Sequence, residues 1–175
     1  VGEERTRAEL GLVSHVVGLT SLRRGTRVAA FLADDGEPDL AAAFPLLVDR
    51  GVELVLPGLV DDGNGGFGMD FRPWSVGHPT EVGPYGIVQP STTDRMAALE
   101  LDVVLTPLVA FDAVGARLGR GGGHYDRAFG PTRNQPDRPR MIATAFEAQR
   151  VSTIDSQAHD VPLDAAITEL GVRWF

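Results

Sequence analysis

Between Pro107 and Arg127 the chain reads PLVAFDAVGARLGRGGGHYDR. Arg117, Leu118, Gly119, Arg120, Gly121, Gly122, Gly123, His124, Tyr125 and Asp126 run consecutively at its end. Glycines let successive backbone N–H groups converge without Cβ interference, and guanidinium groups offer planar pairs of donors. A helix expected to start near His124 would add partial positive charge at the same place. The chemistry implied is anion binding, with phosphate or carboxylate as the ligand. Two familiar glycine-rich fingerprints do not apply. A Walker loop needs a lysine, and a dinucleotide GxGxxG should follow the first strand of a βαβ unit with an acidic residue about 20 positions later. From glycine content alone, a turn rich in left-handed residues with solvated arginines is an equal alternative.

The rest of the composition narrows the chemistry. All 16 basic residues are arginine, so no lysine can form a Schiff base or grip a phosphate as a point charge. The absence of cysteine excludes disulfides, thiolate zinc sites and a cysteine nucleophile. His15, His78, His124 and His159 share no metal-ligand spacing. A net charge of −8 argues against general binding to nucleic acid or to an anionic membrane. No apolar run approaches the roughly 20 residues that span a bilayer, and the first residues are charged, so a soluble cytoplasmic protein is expected.

The elements that must position this stretch follow from periodicity. Apolar residues near helical spacing predict a helix over Glu4–Leu19, and RVAAFL (Arg27–Leu32) predicts a strand closed by an acidic turn. A helix is expected over Asp39–Arg50, with Pro45 its weak point, then a strand over Val52–Leu56 stopped by Pro57. DDGNGGFG (Asp61–Gly68) is turn chemistry leading into Met69–Arg72, which reads as a hairpin. Strands are expected at Leu101–Leu105, Met141–Ala145 and, last, Ala165–Thr168. Short, nearly continuous apolar strands separated by helices predict an α/β fold of three layers: an open, mostly parallel sheet with helices on both faces. One domain over residues 1–175 is expected, since no composition break marks a linker.

The segment FDAVGARLGRGGGHYDR resembles the signature of the 5-formyltetrahydrofolate cyclo-ligase family. FLADDGEPD (Phe31–Asp39), PYGIVQP (Pro84–Pro90) and HDVPLDAAITE (His159–Glu169) resemble further blocks of that family in the same order. The resemblance implies ATP-dependent cyclisation of 5-formyltetrahydrofolate to 5,10-methenyltetrahydrofolate, with ADP and phosphate released. It places an ATP loop on Arg117–Tyr125, with Arg120 also facing the reacting groups, and Mg2+ carboxylates on Asp126 and Asp160. It places the folate side on Leu32, Glu37 and Tyr85, together with Arg120 and His124. A monomer is expected, with 5-formyltetrahydrofolate and ATP as partners. The family's N-terminal basic helix has no counterpart before Arg5, so a segment preceding Val1 is expected. Two alternatives stay open: a folate- or nucleotide-binding module with weak catalysis, and a sugar-phosphate isomerase or CoA-transferase of related architecture.

Overall fold

The computed structural model describes residues 2–175. The chain opens in helix α1 (Gly2–Gly18), whose Leu12 and Val16, one turn apart, are fully buried. Strand β1 (Arg27–Ala29) follows. The helix expected over Asp39–Arg50 is shorter. A tight 3-10 turn at Ala41–Ala43 precedes α2 (Phe44–Asp49). Pro45 explains the difference, because a proline fits only the first turn of a helix, and Asp39 Oδ1 holds the preceding turn by accepting the Ala41 N–H at 2.8 Å.

Strand β2 (Glu53–Asp61) runs through Pro57 rather than stopping there, and β3 (Phe67–Pro73) returns antiparallel to it. The pairing of β2 with β1 has already ended at Val55, so the missing N–H of Pro57 falls beyond the last ladder pair with β1. Two short strands not foreseen, β4 (Thr80–Val82) and β5 (Val88–Pro90), pair around the turn Pro84–Gly86. Buried Arg72 ties them to the hairpin: Nε donates to Asp70 Oδ1 at 2.9 Å and Nη1 to the Pro90 carbonyl at 2.9 Å. Then come β6 (Val103–Thr106), the small ladder β7 (Ala110–Phe111) and β8 (Arg117–Leu118), α3 (His124–Phe129), β9 (Arg140–Thr144) and β10 (Ala165–Thr168). Ala165–Thr168 is not the last strand, because β11 (Gly171–Trp174) folds back on it antiparallel.

Seven strands form one sheet in the order β11-β10-β9-β6-β1-β2-β3, parallel through the middle and antiparallel at both edges. One core packs α1 and α2 on one face, through residues such as Leu12, Phe44, Leu105 and Ile167. The other buries Phe111, Phe129 and Met141 beneath α3. The class is therefore the α/β sandwich expected. From β1 the chain moves to β2 on one side, while β6 lies on the other. Chains leaving the carboxyl ends of β1 and β6 thus diverge, opening the crevice where ligands of open α/β sheets sit. The acidic turn after β1 and the glycine loop after β6 both lie there.

Candidate functional site

The approach to the glycine loop is built around Asp112, which is 2% exposed. Its Oδ1 accepts the N–H groups of Val114 and Ala116, and its Oδ2 that of Ile154, all at 3.0 Å. The turn so fixed delivers Arg117 into the protein. Arg117 Nη2 donates to Asp126 Oδ1 at 2.6 Å, Nε donates to the Val161 carbonyl at 3.2 Å, and the guanidinium lies 5.9 Å from the centre of the Tyr125 ring. Asp126 Oδ1 also accepts the Val161 N–H at 2.9 Å. Arg117 and Asp126 thus clasp the glycine loop, α3 and the C-terminal segment together.

Within the loop, Gly121 (φ 88°) and Gly123 (φ 59°) occupy the left-handed region that side chains rarely adopt. Gly119 is different: a Cβ added there meets nothing within 4 Å, so packing inside the chain does not explain the glycine. A ligand approaching the backbone would explain it. Arg127 braces the loop from below. Its Nη1 donates to the Gly122 carbonyl at 2.7 Å, and its Nη2 reaches the Phe67 carbonyl at 3.3 Å and His124 Nδ1 at 3.0 Å. Burial, with the Arg127 charge adding to it, pushes the His124 imidazole below its ordinary value, so it is neutral near pH 7. Since Arg127 can only donate, Nδ1 accepts and the ring proton sits on Nε2.

Arg120 turns the other way, to the acidic turn after β1. Its Nη2 donates to the Asp34 carbonyl at 2.8 Å and lies 3.2 Å from Glu37 Oε1, while Nη1 is 3.3 Å from Asp34 Oδ2. That turn is sharply bent, with Asp35 at φ 43° and Gly36 at φ 85°. Glu37 Oε2 accepts the Asp34 N–H at 3.1 Å, and the Glu37 carbonyl accepts from Arg5 of α1 at 2.8 Å. Burial raises the Glu37 carboxyl above its ordinary value, and the charges of Asp34 and Asp35 add to this against the lowering effects of the Asp34 N–H and Arg120. Burial, with Glu37 beside it, pushes the Tyr125 phenol up, so it stays protonated.

The remaining expected residues fall around this centre. Tyr85, largely exposed, stands at φ 57° in the turn between β4 and β5, where its ring meets Phe67 edge-on at 5.3 Å and lies 6.4 Å from that of His124. Leu32 packs against the α1-side core at the root of the acidic turn. Asp160 Oδ2 accepts the Gln157 N–H at 2.8 Å, and Oδ1 lies 3.5 Å from His159 Nε2. Its chain neighbour Val161 donates its N–H to Asp126, so the two residues expected to hold Mg2+ are linked through one backbone junction, while the Asp160 carboxylate itself is engaged by Gln157 and His159. Among the described residues no group of three or more His, Asp or Glu side chains could cage an ion. Mg2+ commonly uses one or two carboxylates plus waters and phosphate oxygens, and Asp126 Oδ2, which receives neither bond made to Oδ1, is an oxygen of the kind it uses.

Asp34, Phe67, Asp112 and Arg127 were not singled out in the sequence. The signal for Asp112 is an Asx turn written in DAVGA, and for Arg127 its helical i+3 spacing from His124. Nothing local announces Phe67, which reaches the site from the far hairpin.

Comparison with known proteins identifies the family and the fold. The model of the 5-formyltetrahydrofolate cyclo-ligase family matches residues 1–169. A Haemophilus influenzae protein named 5-formyltetrahydrofolate cyclo-ligase is 30% identical over 162 residues, covering 91% of this chain and 84% of its own. An Escherichia coli protein of the same name is 34% identical over 153 residues, covering 81% of this chain and 76% of its own. The NMR structure of Aquifex aeolicus 5,10-methenyltetrahydrofolate synthetase superimposes with a TM-score of 0.79 at 28% identity, over 99% of this chain and 84% of that one. With the glycine loop, the acidic turn and the C-terminal junction assembled at one crevice, the chain belongs to the 5-formyltetrahydrofolate cyclo-ligase family.

Proposed function

We propose that this chain cyclises 5-formyltetrahydrofolate to 5,10-methenyltetrahydrofolate at the expense of ATP, releasing ADP and phosphate. The observation that carries the reading is the contact of Arg120 with Glu37. It joins the loop expected to hold phosphate to the turn expected to hold the pterin. The N-formyl oxygen is a poor leaving group. It attacks the γ-phosphorus of ATP, the bond to the bridging oxygen breaks, and ADP departs. N10 of the folate then attacks the activated formyl carbon, the carbon–oxygen bond breaks as phosphate leaves, and N10 gives up its proton to form the methenyl bridge.

The chain's own residues position and neutralise. Backbone N–H groups around Gly119–Gly123 cradle the phosphates, a role consistent with the open space beside Gly119. Arg120 leaves the acidic turn to meet the transferring phosphoryl group, which frees Glu37 to accept hydrogen bonds from pterin N–H groups. Tyr85, Phe67 and His124 form an aromatic wall suited to a flat ring. Arg117 acts from behind, holding Asp126 in place. Mg2+ on Asp126 and Asp160, when bound, would neutralise phosphate oxygens. The reading extends to a cytoplasmic monomer that works on small molecules, in keeping with a net charge of −8.

Mixing the protein with 5-formyltetrahydrofolate and MgATP is expected to raise the near-ultraviolet absorbance of the methenyl product. The rise should vanish when protein, folate or nucleotide is left out. Binding of both ligands with no absorbance change would overturn the catalytic reading in favour of a binding module.

A further inference from the structure

The crevice just described lies at the carboxyl ends of the parallel strands; a different feature lies where those strands begin. The connection between α1 and β1, the start of β6 and Arg140 at the head of β9 surround a concavity of about 500 Å3. Thr20, Ser21, Arg23, Arg24, Asp102 and Arg140 contribute to its lining. In a chain of net charge −8, three guanidinium groups on one concavity are not the overflow of a basic surface.

The pairing of the arginines sets this place apart. Most arginines of the chain are engaged with carboxylates or carbonyls. Among the described residues, Arg7, Arg23, Arg24, Arg140 and Arg173 have neither an ion-pair partner nor a side-chain hydrogen bond, and Arg23, Arg24 and Arg140 converge here. Asp102, the acidic residue on this lining, accepts the Arg27 N–H at 2.7 Å through Oδ2 and makes no ion pair with the three arginines among the described residues.

The surround also fixes the backbone that carries Arg23 and lies close to the stem of Arg24 and the ring side of Arg140. Thr26, 9% exposed, donates its hydroxyl to the Ser21 carbonyl at 3.1 Å and accepts the Arg23 N–H at 3.3 Å, pinning the connection. The stem of Arg24 lies over Gly51, where an added Cβ would sit 3.2 Å from Arg24 Cγ. The Arg140 guanidinium lies 5.8 Å from the centre of the Trp174 ring, an arrangement that leaves its N–H edge available. A connection pinned in advance lowers the entropic cost of binding, and several guanidinium groups suit a ligand bearing more than one anionic group.

We propose that this concavity is a second anion site, separate from the crevice and specific for small anions carrying two or more phosphate groups. The sources that share this chemistry are free pyrophosphate-like anions and nucleotides. The test is calorimetric titration at low salt with pyrophosphate and with ATP, using wild type, Arg120→Ala and Arg23→Ser/Arg140→Ser. Backbone amide shifts report where each ligand binds. Pyrophosphate should perturb Thr20–Thr26 in wild type and equally in Arg120→Ala. The double variant should lose at least about tenfold in affinity there, as expected when charge-assisted hydrogen bonds are removed. Tighter perturbation of the same amides by ATP would identify nucleotides as the source, and equal perturbation the phosphate chain alone. If the double variant unfolds, Arg24→Gln provides the same comparison. No shift at Thr20–Thr26, or binding abolished by Arg120→Ala alone, would overturn the proposal.

Discussion

Arg117 and Arg120 stand on the same loop, separated only by Leu118 and Gly119, yet the structure uses them in opposite ways. The Arg117 side chain is 5% exposed and its partner Asp126 20%, with a 2.6 Å contact reinforced by the Val161 carbonyl and N–H. The Arg120 side chain is 45% exposed, and it faces Asp34, Asp35 and Glu37 at 3.2–4.0 Å, with Asp34 68% and Asp35 87% exposed and only Glu37, at 15%, largely buried. A buried, shared pair is costly to break because it leaves an uncompensated charge, whereas an exposed cluster is screened and easily exchanged. The difference teaches which arginine can do chemistry. On the proposed function, a group that exchanges carboxylate for phosphate during turnover has to be held loosely, and of the two arginines Arg120 is the one so held.

The comparison can be broken most sharply by removing each guanidinium in turn. Arg120→Ala is expected to lower kcat by about 100-fold or more, as when one electrostatic donor to a transition state is deleted, while leaving the urea midpoint unchanged. Arg117→Ala is expected to cost about 3 kcal/mol of unfolding free energy, since Asp126 is left partly buried without its charge partner. Equal stability losses in the two variants would abolish the distinction. A smaller effect is expected from Asp34→Asn/Asp35→Asn. Releasing Arg120 from exposed carboxylates worth roughly 0.2–1 kcal/mol each should lower the KM for MgATP a few-fold, and an increase instead would mean that the acidic turn presents Arg120 to the nucleotide.

The smallest effect concerns pH and separates the Glu37 side of the cluster. Its carboxyl is raised, so the ionised form, which on the proposed function accepts from the pterin, is present above that raised value and lost as pH falls through it. Asp34→Asn/Asp35→Asn removes neighbouring negative charge and should move the acid limb of kcat/KM for the folate to lower pH. By linkage, ionising a carboxyl whose folded value is raised works against folding at neutral pH. Glu37→Gln should therefore keep or raise the melting temperature at neutral pH while weakening folate binding, and a lower melting temperature would contradict that sign.

Much of this was legible in the sequence, for physical reasons that also mark where it stopped. The glycine loop, α3 and the parallel strands announced themselves through residue type and period, whereas Glu37 was brought to notice only by the family resemblance that FLADDGEPD carries. The pairing of Arg117 with Asp126 was not legible. No helical or strand period relates those positions, and it takes the Val161 backbone, far along the chain, to bring the clasp together. Phe67 meets Tyr85 where Arg72 and Gln89 tie two β ladders together, and the place of Arg72 requires Gly58, where an added Cβ would collide with Arg72 Nε. The strands β4, β5, β7 and β8 hold two or three residues each, too few for an alternating pattern to be seen.

The central claim is that Arg120 exchanges its carboxylate partners for phosphate while Arg117 stays where it is. The most direct measurement is NMR of the arginine Nε–H groups, assigned by substitution, as MgATP is titrated into the protein. The Arg120 resonance should shift in step with nucleotide occupancy while that of Arg117 remains fixed. A shift confined to Arg117, or nucleotide saturation with neither resonance moving, would contradict the account.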